Sequence, residues 1–350
     1  MTEKSVAIGD PQAPLETFLE VLATKSLLGD DGRLARGVHL VAMGDYFDWG
    51  TRADRDRAAR SGRQLLEWLA GHTPAQVTIL LGNHDLARVG ELAHFDDVSF
   101  AAARTEADSA YFDHAPLRPE SMFSAATGVA SWEMLARDFS TFEVAQRTLV
   151  MRLLREERFE VAYAAGSDLL LSHAGVTTRE LGVLGVDATD ASHSAPAIAA
   201  ALRERLRDAV RAWKDGPLTL AGLHEPGDAT REGGGMFYHR PEVPQAKRPD
   251  AAEAPLRRRY DVATLPKGLG QAIGHIRDAK CRSLLGAPPR EPSEREGALH
   301  YAVINESACA YRTGTPAAFP ADAATLIFLD GGMHHTLPQS YELYDLSART

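Results

Sequence analysis

The sequence predicts an α/β protein built on a parallel sheet, and three features carry that expectation. Short apolar runs alternate with amphipathic intervals of helix length as far as Asp85. The runs are apolar throughout rather than alternating, as strands covered on both faces are. Several end abruptly in glycine followed by Asp, Asn or His, which is how a buried parallel strand delivers functional side chains at its C-terminal end.

The first such unit runs from Ser5 to Ile8 and stops at Gly9-Asp10-Pro11-Gln12. Pro14 suits the first turn of a helix, and Leu15, Phe18, Leu19 and Leu22 recur at three- and four-residue spacing on one face. A strand from Val38 to Met43, a helix near Asp54 to Leu69 and a strand from Val77 to Leu81 repeat the pattern, which implies right-handed crossovers. From about residue 86 to 165 the chain turns rich in alanine, arginine and glutamate, and reads as a mostly helical insertion within a single domain spanning 1–350.

Asp168 to Ser172 returns to the sheet and ends at His173, and Ala197 to Trp213 reads as a helix with Ile198, Leu202 and Leu206 on one face. Residues 223 to 269 are rich in glycine, proline and arginine and read as a long loop region, in which Arg257 to Arg259 form a solvated run. Gln271 to Gly274 leads into His275, strands follow at Leu299 to Ile304 and Ala324 to Leu329, and YELYDLS suggests a last edge strand.

Composition narrows the class. The chain has 350 residues, 44% of them hydrophobic and 25% charged, which is ordinary for a globular protein. A formal charge of -10 argues against a dedicated nucleic-acid binder, whose affinity rests on lysine and arginine. Two cysteines, Cys281 and Cys309, make neither a disulfide framework nor a cysteine-rich zinc site. The N-terminal stretch has no secretory pattern, and no apolar run is long enough to span a membrane, so the expected location is a reducing cytoplasm.

The strand-end residues, in order, are Asp10 with Gln12, Asp45 with Asp48, Asn83 with His84 and Asp85, His173, and His275. Oxygen and imidazole groups gathered at such an edge suit divalent metals acting on phosphate. The stretches GDPQ, GDYFDWG, GNHD, SHAG and IGH resemble the ordered motifs of the calcineurin-like metallophosphoesterases. Within that superfamily they are most similar to the phosphoprotein phosphatase group, in particular its Shewanella-like bacterial and plant branch. GGGMFYHRP resembles the segment by which that group brings an arginine to the phosphate.

The resemblance implies a four-layer fold, a central β-sandwich flanked by helices. It also implies two divalent ions, manganese foremost with iron, zinc or magnesium as alternatives. Asp45 would bridge them, Asn83, His173 and His275 would complete one site, and Asp10 with Gln12 the other. His84 would be the general acid, oriented by Asp48, with Asp85 structural, and Arg240 or else Arg231 would hold the phosphate.

Two positions depart from the pattern. Gln12 stands where most relatives have histidine, leaving an all-oxygen set that favours manganese or magnesium over zinc. Trp49 stands where the phosphatase group has arginine, so one phosphate contact is lost unless Arg52 or Arg88 replaces it. Trp49 reads either as a core or rim aromatic or as a platform for a base or aryl leaving group. His224-Glu225 reads as surface loop or substrate contact, and His334-His335 as a further approach to the site.

The leading function is therefore a metal-dependent phosphoric monoester hydrolase acting on a phosphoprotein or a small phosphoester. The alternatives are a nucleotide pyrophosphatase or symmetrical diadenosine tetraphosphatase, and a pseudophosphatase scaffold.

Overall fold

The computed structural model describes residues 4–186, 194–231, 233–244, 259–292, 294–305 and 308–347. The chain opens with βα units, as the apolar runs predict: β1 Lys4–Ile8, α1 Leu15–Thr24, β2 Val38–Ala42, α2 Arg55–Ala70, β3 Val77–Leu80 and the short α3 Asn83–Ala87. An excursion follows, carrying α4 Asp97–Tyr111, α5 Glu120–Thr127, a single π turn at Met134–Asp138, and α6 Val144–Arg155. The chain then re-enters the sheets through β4 Phe159–Glu160, β5 Ala162–Ala165 and β6 Leu169–Ser172, and covers them with α7 Thr178–Leu184 and α8 Ala195–Ala212.

The described residues between 223 and 269 are less irregular than the composition of the stretch predicts. Short ribbons form there, β7 His224–Glu225 with β8 Gly234–Gly235, and β9 Arg240–Glu242 with β10 Arg259–Asp261. Arg259 pairs with Glu242 at 2.5 Å, whereas Arg257 and Arg258 lie outside the described residues. The rest of the fold is β11 Gly270–Ile273, α9 Asp278–Leu285, β12 His300–Asn305, β13 Ala308–Thr313, β14 Ala324–Phe328 and the edge strand β15 Tyr344–Asp345.

The strands form two main sheets, in the orders β15-β1-β2-β3-β4 and β13-β12-β14-β11-β6-β5. β1 to β4 run parallel, as do β6, β11 and β14, while β15, β5 and β12 pair antiparallel at their margins. The sheets pack face to face: Ala7, Val41, Met43 and Leu80 of the first share a core with Leu169, Leu171, Ala272 and Ile327 of the second.

Alternate residues of the same strands face the other way. Leu40 and Ala42 of β2 join Phe18, Leu22, Leu65 and Leu69 of α1 and α2. On the far side Ile273, Ile304 and Leu326 join Leu284 and Leu285 of α9. Helix, sheet, sheet and helix make the four layers, and a strand buried on both faces has no polar alternation to show, which is why the runs read as continuously apolar.

Two local expectations shift. The helical insertion gives way to β4 and β5 before residue 165, because Ala162–Ala165, although built of good helix formers, pairs antiparallel with β6. Tertiary pairing overrides a weak propensity there. β13, which the pattern does not announce, forms as the partner of β12.

The excursion is fastened to the core by a buried ion pair. Arg55 of α2 meets Asp108 of α4 at 2.5 and 2.7 Å, both side chains no more than 10% exposed, and also donates to the carbonyl of Ala136. Removing one member of such a pair leaves an uncompensated buried charge. Asp108→Ala should therefore lower unfolding stability by about 3–5 kcal/mol, as read by urea denaturation. A loss under about 1 kcal/mol would mean the pair behaves as a surface salt bridge.

Candidate active site

The ends of the parallel strands deliver their side chains to one edge of the sandwich. The loops after β2 and β3 touch: a Cβ on Gly82 would lie 2.1 Å from the Asp45 Oδ1 and 2.5 Å from its backbone nitrogen, so only glycine fits. Asp45, Asp48 and His275 have φ of 59°, 62° and 62°. Non-glycine residues in the left-handed region cluster where a site constrains the backbone.

Asp85 fixes these turns. It accepts from the backbone N–H groups of Gly82 (2.8 Å), Asp45 (2.9 Å) and Tyr46 (3.1 Å), and is fully buried. Burial and the neighbouring Asp45 charge push its carboxyl up to about 7. It is a brace for the loops, as the sequence suggests.

Asp10, Gln12, Asp45, Asn83, His84 and His275 line one cavity of about 570 Å³. His173 lies just beneath, fully buried; its Nδ1 donates to the Met43 carbonyl at 2.9 Å, which turns Nε2 toward Asn83 Oδ1 at 3.0 Å and Asp45 Oδ2 at 3.4 Å. His275 donates through Nε2 to the Tyr238 carbonyl at 3.2 Å, and its backbone N–H donates to Asp10 at 2.7 Å. Ligand atoms of Asp45, His173 and His275 all fall within 4.8 Å of one another.

These residues fit a divalent cation. Asp10 Oδ1 is buried without a hydrogen-bond partner, and a Cβ on Gly274 would fall 1.9 Å from it, so only glycine fits beside this oxygen. Burial and the Asp330 charge raise the Asp10 carboxyl well above the usual range. Burial works against a charge on His173, but Asp45 and Asp10 outweigh it and hold the imidazole up at about 10. A proton on Nε2 and a divalent cation answer the same crowded oxygens. Burial and the Arg240 charge push His275 well down, toward the neutral form that ligates.

His84 and Asp48 form a separate couple. His84 Nδ1 donates to Asp48 Oδ2 at 2.9 Å, leaving Nε2 on the cavity side, 3.8 Å from Asp45. Burial opposes the protonated ring, yet Asp45 and Asp48 raise its pKa. Burial likewise opposes the Asp48 carboxylate, which Arg88 and His84 hold well below the usual range. Asp48 also accepts from Thr141, through N–H at 2.9 Å and Oγ1 at 2.6 Å, and from Arg88 at 2.8 Å.

The remaining candidates are placed as follows. Gln12 donates through Nε2 to the Phe47 carbonyl at 3.2 Å, leaving its amide oxygen as the group a cation can use. Arg240 lines the cavity, whereas Arg231 pairs with Glu225 and Asp228 at the surface. Trp49 is 5% exposed and is not among the cavity walls; its ring packs on His334 with centroids 4.9 Å apart. Arg52 pairs with Asp113 and Asp108, and Arg88 is committed to Asp48, so neither takes the arginine position that Trp49 replaces. His335 faces a neighbouring cavity.

Several cavity residues escape the sequence reading. Arg137, Asp138 and Phe139 come from the excursion, and Lys280 from α9; none follows an apolar run. Asp330 does, at the end of β14, and it is not one of the missed residues, since Asp330-Gly331-Gly332 before His334-His335 reads in the sequence as a tight strand end at this edge. His224 belongs neither to a surface loop nor to the cavity walls. It is fully buried, stacks on Tyr238 at 5.9 Å, and neither ring nitrogen has a hydrogen-bond partner.

With fold and site defined, comparison with known proteins gives the class. The model of the family described as calcineurin-like phosphoesterase matches residues 4–247, and the chain belongs to that family of phosphoester hydrolases. Among solved structures it is similar to the cold-active protein-tyrosine phosphatase of a psychrophile Shewanella sp., at 15% identity and a TM-score of 0.37 over 98% of this chain and 75% of that one. It is also similar to another structure of a cold-active protein tyrosine phosphatase and to a point mutant of one, at 19% and 17% identity, each with a TM-score of 0.29 and 62% of this chain covered. The chain spans 55% and 56% of the lengths of those two. No curated protein matches.

The buried His224 gives the chain a specific acid sensitivity. Burial depresses its pKa to about 3, against about 6.5 in an unfolded chain, so its neutral form stabilises the fold above pH 6.5 and that contribution is lost as pH falls toward 3. His224→Phe should flatten the decline of unfolding free energy between about pH 6.5 and 4, measured by urea unfolding at stepped pH. An acid limb as steep as that of the unaltered chain would show that His224 is protonated without cost.

Proposed function

We propose that the chain is a two-metal phosphoric monoester hydrolase. The observation that carries this reading is the convergence on one cavity of a cation-fitting donor set, a histidine held by a carboxylate, and the cationic side chains Arg240 and Lys280. Asp45 would bridge the ions, with Asn83, His173 and His275 on one side and Asp10 and Gln12 on the other. Bound divalent ions lower the pKa of water and stabilise charge on phosphoryl oxygens. The oxygen-rich Asp10 and Gln12 side favours manganese.

The chain's own residues supply the rest. Arg240 presents a guanidinium to the phosphate, a geometry matched to its oxygens. His84 holds a proton on Nε2, and the Asp48 carboxylate behind Nδ1 fixes the ring and supports its positive charge, so the proton is placed for the leaving oxygen. Phe139 packs edge-on to that ring at 5.2 Å and walls the cavity beside it. The substrate is a phosphorylated protein or a small phosphoester. Trp49, packed on His334, offers no base platform, which favours a monoester over the dinucleotide alternative. The intact His84 and Asp48 couple favours catalysis over a scaffold.

No helix among the described residues is long and apolar enough to cross a membrane, and both cysteines are free thiols, which supports a reducing compartment such as the cytoplasm.

The test is a Mn²⁺-dependent panel of aryl phosphate, alkyl phosphate, phosphopeptides and diadenosine tetraphosphate. Monoesters should be turned over and chelator should abolish the activity. Cleavage of the dinucleotide alone would select the pyrophosphatase reading, and an inert, metal-free chain the scaffold.

His84→Asn should lower kcat on alkyl phosphates by roughly 10²–10⁴-fold with Mn²⁺ binding retained. Equal rates for variant and parent on alkyl esters would remove His84 from the general-acid role. Thr141→Val, which deletes one hydrogen bond to Asp48, should slow alkyl phosphates more than aryl phosphates with KM unchanged; a uniform loss on both would place Thr141 outside proton transfer.

A further inference from the structure

We infer that Asp330 is an additional oxygen ligand of the cation site formed by Asp10, Gln12 and Asp45, supplying a negative charge that the neutral Gln12 amide lacks and a stronger oxygen donor beside it. The inference rests on the metal-dependent reading above and extends it to a residue on the second sheet.

The placement is set by the backbone. β14 runs parallel to β11 in the second sheet and continues through Leu329 to Asp330. Its end passes against the end of β1: a Cβ on Gly9 would lie 1.9 Å from the Leu329 carbonyl oxygen and 2.9 Å from the Asp330 nitrogen. With the two sheet ends in contact, Asp10 and Asp330 leave their strands beside each other and line the same cavity.

Each carboxylate then has one oxygen in use and one without a strong donor. Asp10 Oδ2 accepts from the His275 N–H at 2.7 Å, while its Oδ1 is buried with no hydrogen-bond partner. Asp330 Oδ1 accepts from the Gly332 N–H at 2.9 Å, and its Oδ2 meets the Arg277 Nε only at 3.9 Å. The Asp330 side chain is 7% exposed and that of Arg277 48%, so the guanidinium, the chief positive charge near Asp330, is half solvated and stands beyond hydrogen-bond distance. Two buried carboxylates lining one cavity, each with an oxygen short of donors, suit a hard cation, and the set Asp10, Gln12, Asp45 and Asp330 offers oxygen alone, the chemistry of manganese or magnesium.

Titration calorimetry of the chelator-stripped chain with Mn²⁺ tests this without reference to turnover. The unaltered chain should take two equivalents. Asp330→Asn keeps the acceptor for Gly332 and the side-chain volume, and should weaken one equivalent by about 10-fold or more. Binding equal to that of the unaltered chain would overturn the assignment. An unaltered chain that takes no manganese would instead overturn the metal-dependent reading itself.

Should Asp330→Asn not fold by circular dichroism, Arg277→Gln serves. Removing the guanidinium frees Asp330 Oδ2, so one equivalent should bind more tightly; unchanged or weaker binding would overturn the inference.

Discussion

Everything at the catalytic edge depends on holding like charges together away from water. Asp10 and Asp45 are 2% and 3% exposed, and Asp330 lines the same cavity. Such an arrangement is costly unless each oxygen is answered by a donor or a cation. The sandwich makes it possible, because two sheets packed on a shared core bring β1, β2, β3 and β14 to the same edge and leave the side chains no room to separate. The left-handed turns at Asp45, Asp48 and His275 add strain on the order of 1–3 kcal/mol each, offset by the packed layers behind them.

The excursion contributes to the other half of the site. Metal-fitting residues come from strand ends, whereas the surroundings of Asp48 come largely from the segment between β3 and β4. Thr141 donates to Asp48 twice, Arg88 bridges Asp48, the His84 carbonyl and Thr141, and Gln146 on α6 holds Arg88 at 3.1 Å. The Arg55 and Asp108 pair anchors α4, and the Ala136 carbonyl that Arg55 also binds lies next to Arg137, Asp138 and Phe139 in the cavity wall. An insertion wired in this way couples the geometry of His84, the proposed proton donor, to the packing of the helices.

How much was legible follows from what each residue's position depends on. Asp10, Asp45, Asn83, His173 and His275 stand directly after apolar strands, so strand direction alone places them at one edge, and β15 shows itself by alternation. Thr141 and Arg137 sit where only the packing of α4 and α6 puts them. Trp49 follows a left-handed Asp48, so its neighbourhood in sequence says nothing of which way it turns; the structure sends it to His334. His224 lies in a glycine- and proline-rich stretch whose composition reads as surface, yet the pairing of β7 with β8 places it inside.

Gln12 shows how a single departure propagates. Its amide nitrogen is engaged by the Phe47 carbonyl, so the oxygen is the end left for a cation, and a neutral carbonyl oxygen donates less than an imidazole. On the proposed reading the centre is then unequal. His173 and His275 give one half two nitrogen donors, while the other half rests on oxygen and on charge. A softer ion prefers the first half and a harder one the second, and the oxygen half holds its ion more loosely. Its occupancy, not that of the imidazole half, then sets the metal concentration at which the site is complete, and any residue that adds negative charge there lowers that concentration.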